Sequence, residues 1–295
     1  MSESVFMERY RRLDPSFRKV ARLPKALRVN TLRIAEADLV KRLTAKGVML
    51  TKVPFLKYGY TYESRFSLGS TPEYLLGYYY LQEAASQVPV QVLNPRPSEM
   101  VLDMACAPGS KLTQCAQWMQ DKGVLIGIDA NVSRLRSAAN NVERLGIGNT
   151  ALFHLDSARV SELKMDFDKV LLDAPCSGNY CIEPGYFQKK TIKGIKGRSS
   201  LQRSLLEAGF SVLKKGGTLV YSTCSLEPEE CELVVDWALR ECGGISIVET
   251  GLSVGDPGII DVFGERLTEK VALSRRFWPH RHGTQGFFVA KFIKK

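Results

Sequence analysis

The sequence predicts an α/β protein: a mainly parallel sheet flanked by helices, carried behind a small basic α+β unit. Three observations predict it. Beyond residue 98, short apolar runs alternate with helix-length amphipathic ones. Several of those runs end in residues that carry chemistry, namely Asp103, Asp129, Asp173 and Cys224. The first fifty residues have a strand–helix pattern of their own and hold twelve Lys+Arg against five Asp+Glu.

In chain order, Leu27-Arg28-Val29-Asn30-Thr31-Leu32 reads as a strand. Residues 35–46 read as a helix, with Glu36 and Asp38 early, Lys41, Arg42 and Lys46 late, and Gly47 as the stop. Short strands follow to about Phe66, and 74–93 reads partly as helix. Asn94-Pro95-Arg96-Pro97 marks a boundary. The predicted organisation is thus a unit over 1–73, a helical connection over 74–97 and a catalytic domain over 98–295. Within the last, strands are expected at 100–104, 124–128, 151–155, 169–172, 218–223 and 286–292. Helices are expected at 111–120, 132–145, 200–214 and 228–241.

At 295 residues the chain can bury a sizeable core. No apolar run approaches a membrane span and the N-terminus lacks a secretory signal, so the expected location is the cytoplasm. Seven widely spread cysteines with no Cys-x-x-Cys make neither a disulfide framework nor a zinc site, and no metal is expected. A net charge of +10 points to an acidic partner, nucleic acid ahead of a membrane surface.

Asp103-Met104-Ala105-Cys106-Ala107-Pro108-Gly109-Ser110-Lys111 follows the first strand of the alternating region and opens a helix. Small residues let a ligand approach the backbone, and helix N-terminal amides attract anions. The next strand ends in Asp129, where an acid accepts from ribose hydroxyls. The third ends at Asp156, placed to meet a base amino group. Together they suit an adenosine-bearing ligand. Asp173-Ala174-Pro175-Cys176-Ser177-Gly178 and Cys224 bring an acid and two thiols to two further strand ends. Small core cysteines would look the same there. Lys189, Lys190, Lys193, Lys196, Arg198 and Arg203 lie in a stretch with no acid from 186 to 203. Gly194 and Gly197 make it read as a loop, suited to phosphates or simply solvated. Near the C-terminus Arg275-Arg276-Phe277-Trp278 mixes bases with aromatics, and Trp278 either holds a flipped nucleotide or packs on the sheet.

The 103–111 loop, Asp-Ala-Pro-Cys-Ser-Gly at 173–178 and Tyr-Ser-Thr-Cys-Ser-Leu-Glu-Pro-Glu-Glu at 221–230 together resemble the Sun/Nop family of RNA (cytosine-5) methyltransferases. The match extends to 27–32 and to Gly286-Phe287-Phe288-Val289-Ala290-Lys291. Asn179-Tyr180 and the short length are most similar to the archaeal tRNA-modifying branch. Ala105-Cys106 stand where the family commonly has Cys then Ala, Ser110 replaces a frequent Gly, and Cys231 a usual Asn.

The resemblance implies a Rossmann-like S-adenosylmethionine-dependent methyltransferase sheet, its last strand antiparallel, behind an N-terminal α+β RNA-recognition unit. It implies S-adenosylmethionine as cofactor, held by Ala105, Cys106, Ala107, Pro108, Gly109, Ser110 and Lys111, with Asp129, Arg134, Asp156 and Asp173. Arg134 has an alternative role in pairing Asp129, and Lys111 in orienting Asp173. Cys224 would be the nucleophile, Cys176 the residue that assists release, and Asp173 the group that binds the cytosine edge. In DNA cytosine methyltransferases a Pro-Cys thiol attacks, which would make Cys176 the nucleophile instead. The partner is RNA, with Lys189, Lys190, Lys193, Lys196 and Arg198 on its phosphates, and the chain is expected to act as a monomer. The expected activity is methylation of cytosine carbon 5 in tRNA. The alternatives are the same chemistry on rRNA, or a non-catalytic RNA-binding protein on this fold.

Overall fold

The computed structural model describes residues 3–295. The N-terminal unit has α1 (Glu3–Leu13), β1 (Lys25–Val29), α2 (Glu36–Ala45), β2 (Met49–Lys52), β3 (Gly59–Glu63), α3 (Pro72–Leu75) and β4 (Tyr79–Leu81). Its sheet runs β2-β3-β1-β4, all antiparallel. After α4 (Val88–Leu93) the larger region follows: β5 (Met100–Asp103), α5 (Ser110–Trp118), β6 (Val124–Asp129), α6 (Val132–Leu145), β7 (Thr150–His154) and β8 (Phe167–Asp173). Then come α7 (Tyr186–Lys189), α8 (Ile192–Ser211), β9 (Leu213–Thr223), α9 (Glu232–Glu241) and β10 (Ile245–Val248). The chain ends with β11 (Asp256–Pro257), β12 (Asp261–Val262), β13 (Glu265–Arg266), β14 (Arg275–Phe277), α10 (Pro279–His282) and β15 (Phe287–Lys294).

The large sheet has the order β11-β14-β15-β9-β8-β5-β6-β7, with β10 on β15. Strands β5 to β9 pair in parallel, and β15 runs antiparallel to β9. A parallel sheet buried on both faces needs apolar residues at successive positions. Val101/Leu102, Leu125/Ile126, Val170/Leu171 and Leu219/Val220 supply them, one of each pair to either side. Leu102, Ile126, Val170 and Leu219 meet Leu205, Leu206 and Phe210 of α8 and Val234 and Val235 of α9. Val101, Leu125, Leu171 and Val220 meet α4 and α5. Strand order reverses at β5, so a crevice opens beyond its carboxyl end.

Three local readings change. The connection expected to be helical over 74–97 keeps a helix at Val88–Leu93 but also holds a strand: Tyr79–Leu81 pairs with β1, and Tyr79 is fully buried there. The basic stretch is not a loop, because α8 starts at Ile192 and carries Lys193, Lys196, Arg198 and Arg203. Thr191 caps it by accepting the Gly194 amide at 3.1 Å, and Ile195, Ser199, Gln202 and Leu206 bury one face, which outweighs the cost of two glycines, about 1 kcal/mol each. The helix expected at 228–241 begins at Glu232, after one short turn, Pro228–Glu230.

Arg28, counted in the basic excess, is fully buried, with its guanidinium on Gln82 at 3.0 Å, Gln117 at 2.7 Å and Thr113 at 2.9 Å. Burial lowers its pKa to about 9. It ties β1 to α5, so it joins the two regions rather than facing RNA. Helix α1 buries Phe6 and Tyr10 among Phe17, Tyr186, Phe187 and Trp278. Trp278 therefore packs inside. Among the described residues no helix is long and apolar enough to cross a membrane.

Candidate active site

Two adjacent parallel strands, β8 and β9, end beside one another, with Asp173 in register with Ser222. The turns that leave them bring Cys176 Sγ and Cys224 Sγ to 3.1 Å. Both thiols are free and partly exposed. The bond to Cys224 and then burial push the Cys176 thiol well above the usual range. Either sulfur can donate in this contact.

Asp173 is held on both oxygens. Ser222 Oγ donates to one at 2.7 Å and Lys111 Nζ to the other at 2.6 Å. Lys111, at the start of α5, is buried and also donates to Ser86 at 3.0 Å. Of its two sequence-derived roles, it fills the orienting one. A carboxylate braced in this way, with its side chain 28% exposed, can accept from a base edge without turning away.

The turn with Cys176 is tied down from behind. Glu230, fully buried, accepts the Ser177 amide at 2.9 Å and the Ser177 hydroxyl, and Gln202 donates to the Pro175 carbonyl at 3.1 Å. Asn179 donates to the Cys224 carbonyl at 2.7 Å, fixing the second turn to the first. Gly178, at φ +76°, makes the reversal between them. Glu227 is fully buried and accepts from Tyr10 at 2.6 Å and Arg9 at 3.1 Å. The acids after Cys224 thus face inward to fixed donors. Sequence reasoning did not single out Ser222, Glu230, Gln202 or Asn179 for the site, since each acts across 27 or more residues.

The first loop lies beyond β5. Gly109, at φ +104°, caps α5, and a Cβ there would sit 3.3 Å from Ala138 Cα of α6. Asp129, buried at the end of β6, accepts the Ala107 amide at 3.3 Å and the Asn131 amide at 2.8 Å. Arg134 donates to the Ala107 carbonyl at 2.7 Å and stands 3.8 Å from Asp129, so its pairing role holds. Asp156 is exposed past the end of β7 and caps its own turn on the Ala158 amide at 3.0 Å. Asp103, which the sequence reading left as part of the loop, is fully buried. One of its oxygens accepts the Ala105 amide at 3.2 Å and the other has no partner. Burial raises its pKa to about 7.

The basic residues follow on α7, α8 and the turn between them. Lys190 pairs with Glu183 at 2.9 Å, and Lys189 donates to the Pro184 carbonyl at 2.9 Å. Lys193, Lys196 and Arg198 are exposed along α8.

Residues 90–293 match the family model described as 16S rRNA methyltransferase RsmB/F, and 5–84 match the N-terminal domain of 16S rRNA methyltransferase RsmF. A human 28S rRNA (cytosine(4447)-C(5))-methyltransferase is 42% identical over 92% of this chain and 34% of its own length. A tRNA (cytosine(72)-C(5))-methyltransferase of Pyrococcus horikoshii is 36% identical over 92% of this chain and 65% of its own. The chain thus spans about a third of the human relative. Among solved structures, a methyltransferase homologue from Pyrococcus horikoshii superposes with a TM-score of 0.88 at 43% identity, covering 99% of this chain and 95% of that one. NSun6 from the same organism, solved with SFG, gives 0.82 at 27%, over 92% and 91%.

Proposed function

From a chain that belongs to the RsmB/F family of RNA (cytosine-5) methyltransferases, we propose methylation of cytosine carbon 5 in RNA through a covalent bond to Cys224. The observation that carries the assignment is the pair of thiols 3.1 Å apart beside a braced aspartate.

Cytosine carbon 5 is too electron-poor to take a methyl group directly. Addition of the Cys224 thiolate to carbon 6 turns the ring into an enamine and makes carbon 5 nucleophilic. Asp173, held by Lys111 and Ser222, would hydrogen-bond the cytosine edge at the amino group and at ring nitrogen 3, where a proton shared with the carboxyl stabilises the negative charge that builds on the ring. After carbon 5 has gained the methyl group, a base must take its proton, and the carbon 6–sulfur bond then breaks to return Cys224. Cys176, 3.1 Å from Cys224, lies close enough to serve that last stage, and the family resemblance favours Cys224 over Cys176 as the attacking sulfur.

The residues present fit S-adenosylmethionine. Asp103 offers a buried oxygen without a partner, and Asp129 stands over a loop of small residues at the mouth of α5. Residues 105–110, Asp129 and Asp156 would hold it, with Arg134 keeping the loop in place and Lys111 acting through Asp173. When bound it supplies an electrophilic methyl group. Lys189, Lys190, Lys193, Lys196 and Arg198 would meet phosphates. The substrate expected from the sequence is tRNA, with rRNA as the alternative favoured by the higher identity to the human rRNA enzyme.

Bisulfite sequencing of total RNA incubated with the protein and cofactor tests the reading. New protected cytosines in tRNA are expected, absent with Cys224→Ala. Protection in rRNA alone selects the alternative, and none in either overturns the activity.

A further inference from the structure

The parallel strands have another end. At their amino edge, about 20 Å from the thiols at 3.3 Å per strand residue, a cleft of 430 Å³ opens between the turn before β5, the start of β8 and the Gly216-Gly217 turn. Arg96, Lys169, Lys214, Lys215 and Lys291 line it against two acids, Glu99 and Asp168. Both acids are occupied. Glu99 pairs with Lys169 at 3.2 Å and accepts the Arg96 amide at 2.7 Å. Asp168 pairs with Lys214 at 2.8 Å and accepts the Met100 amide at 2.8 Å.

Arg96, Lys215 and Lys291 are left, among the described residues, with no ion pair or hydrogen bond from their side chains. Burial lowers the pKa of Lys169, and Arg96 and Lys291 add to that against the pull of Glu99. Gly216 at φ +73° has open space where a side chain would stand, so the turn leaves its backbone bare to an approaching chain. Uncompensated like charges gathered around a bare cleft favour a polyanion, whose binding neutralises them and releases counterions.

We propose that this cleft binds RNA phosphates, so that a folded RNA is gripped at both edges of the sheet while its cytosine lies at the thiols. The inference rests on RNA being the substrate. It separates short from long RNAs, because a single-stranded hexamer with its cytosine at the centre extends only two or three nucleotides to either side, too few to pass round the sheet to the amino edge.

The test uses the full chain, bulk tRNA and a cytosine-containing hexamer. In Arg96→Gln/Lys215→Gln/Lys291→Gln, the slope of log affinity for tRNA against log salt should flatten by about 2 to 3. Hexamer affinity and methylation should stay at the parental level. Lys215→Glu, at an exposed turn, should lower tRNA affinity by itself and keeps the test valid if the triple variant unfolds. An unchanged tRNA slope overturns the proposal, as does an equal loss for the hexamer. Binding of polyglutamate, or of inorganic phosphate, that the variant abolishes while tRNA binding stays parental would assign the cleft to an acidic protein or to a free anion. If the parent binds neither RNA, the substrate reading fails and the cleft proposal with it. Hexamer methylation with an unchanged tRNA slope removes the cleft alone.

Discussion

Glu230 makes no hydrogen bond to either thiol, yet the geometry predicts a large effect of its removal on the release of product. Its buried carboxylate accepts the amide and hydroxyl of Ser177, the residue after Cys176, while its own carbonyl accepts from Tyr221 at 2.7 Å. Glu230→Gln keeps the shape but presents an amide nitrogen to one of those two donors. A hydrogen bond to a charged group contributes about 1.5–3 kcal/mol, and an unsatisfied buried donor costs a similar amount. Spent in the transition state of the release step that Cys176 serves, that corresponds to a loss of roughly ten- to a hundredfold in the rate of that step. Displacing Cys176 by about 1 Å would cost a similar factor. The cofactor loop leaves a different strand, β5, so affinity for S-adenosylmethionine should not change. Decay of the covalent RNA adduct after a single turnover and calorimetric cofactor titration read the two quantities separately. A Gln variant with the parental rate would refute the argument, and so would equal losses in rate and cofactor affinity.

Two further outcomes follow from the acids of the first loop. Asp103, raised to about 7 by burial, contributes stability that is fully present below its ordinary range and lost as pH rises through 7. Relative to Asp103→Asn, the parent should therefore lose stability between about pH 4 and 7, with a ceiling of about 4 kcal/mol. Urea midpoints across that range read it, and a flat difference curve contradicts it. Asp129→Ala removes the acceptor of the Ala107 and Asn131 amides and should weaken cofactor binding in a calorimeter. Equal affinity would take Asp129 out of the site.

The parts legible in the sequence were those a strand delivers locally. Asp173, Cys176 and Cys224 were found because an apolar run with a Pro- or Gly-bearing turn fixes where its last residues point. Asp129 was found by its distance down the chain from the first loop. The supports were not legible, because they cross between elements. Nothing around Gln202 says that it meets the Pro175 carbonyl, 27 residues earlier, and nothing around Arg9 says that it meets Glu227. Arg28 adds to the basic excess of the first fifty residues yet is buried, since charge alone does not report burial. Only the start of helix α8 was hidden, by Gly194 and Gly197, whose low helix propensity is overridden by the Thr191 cap and a buried face. Tyr78-Tyr79-Tyr80 fits a helix or a strand equally, and pairing with β1 decides it.

The central claim is that Cys224 attacks and Cys176 serves the end of the reaction. Cytosine-bearing RNA, cofactor and enzyme, run on a denaturing gel with the RNA labelled, separate the two steps. Cys176→Ala should still add to carbon 6 and remain bonded to its methylated RNA, which gives a shifted band. Cys224→Ala should give no shifted band and no methylation. A shifted band for Cys224→Ala and none for Cys176→Ala would make the Pro-Cys thiol the nucleophile, and full activity of both variants without any adduct would reject thiol catalysis.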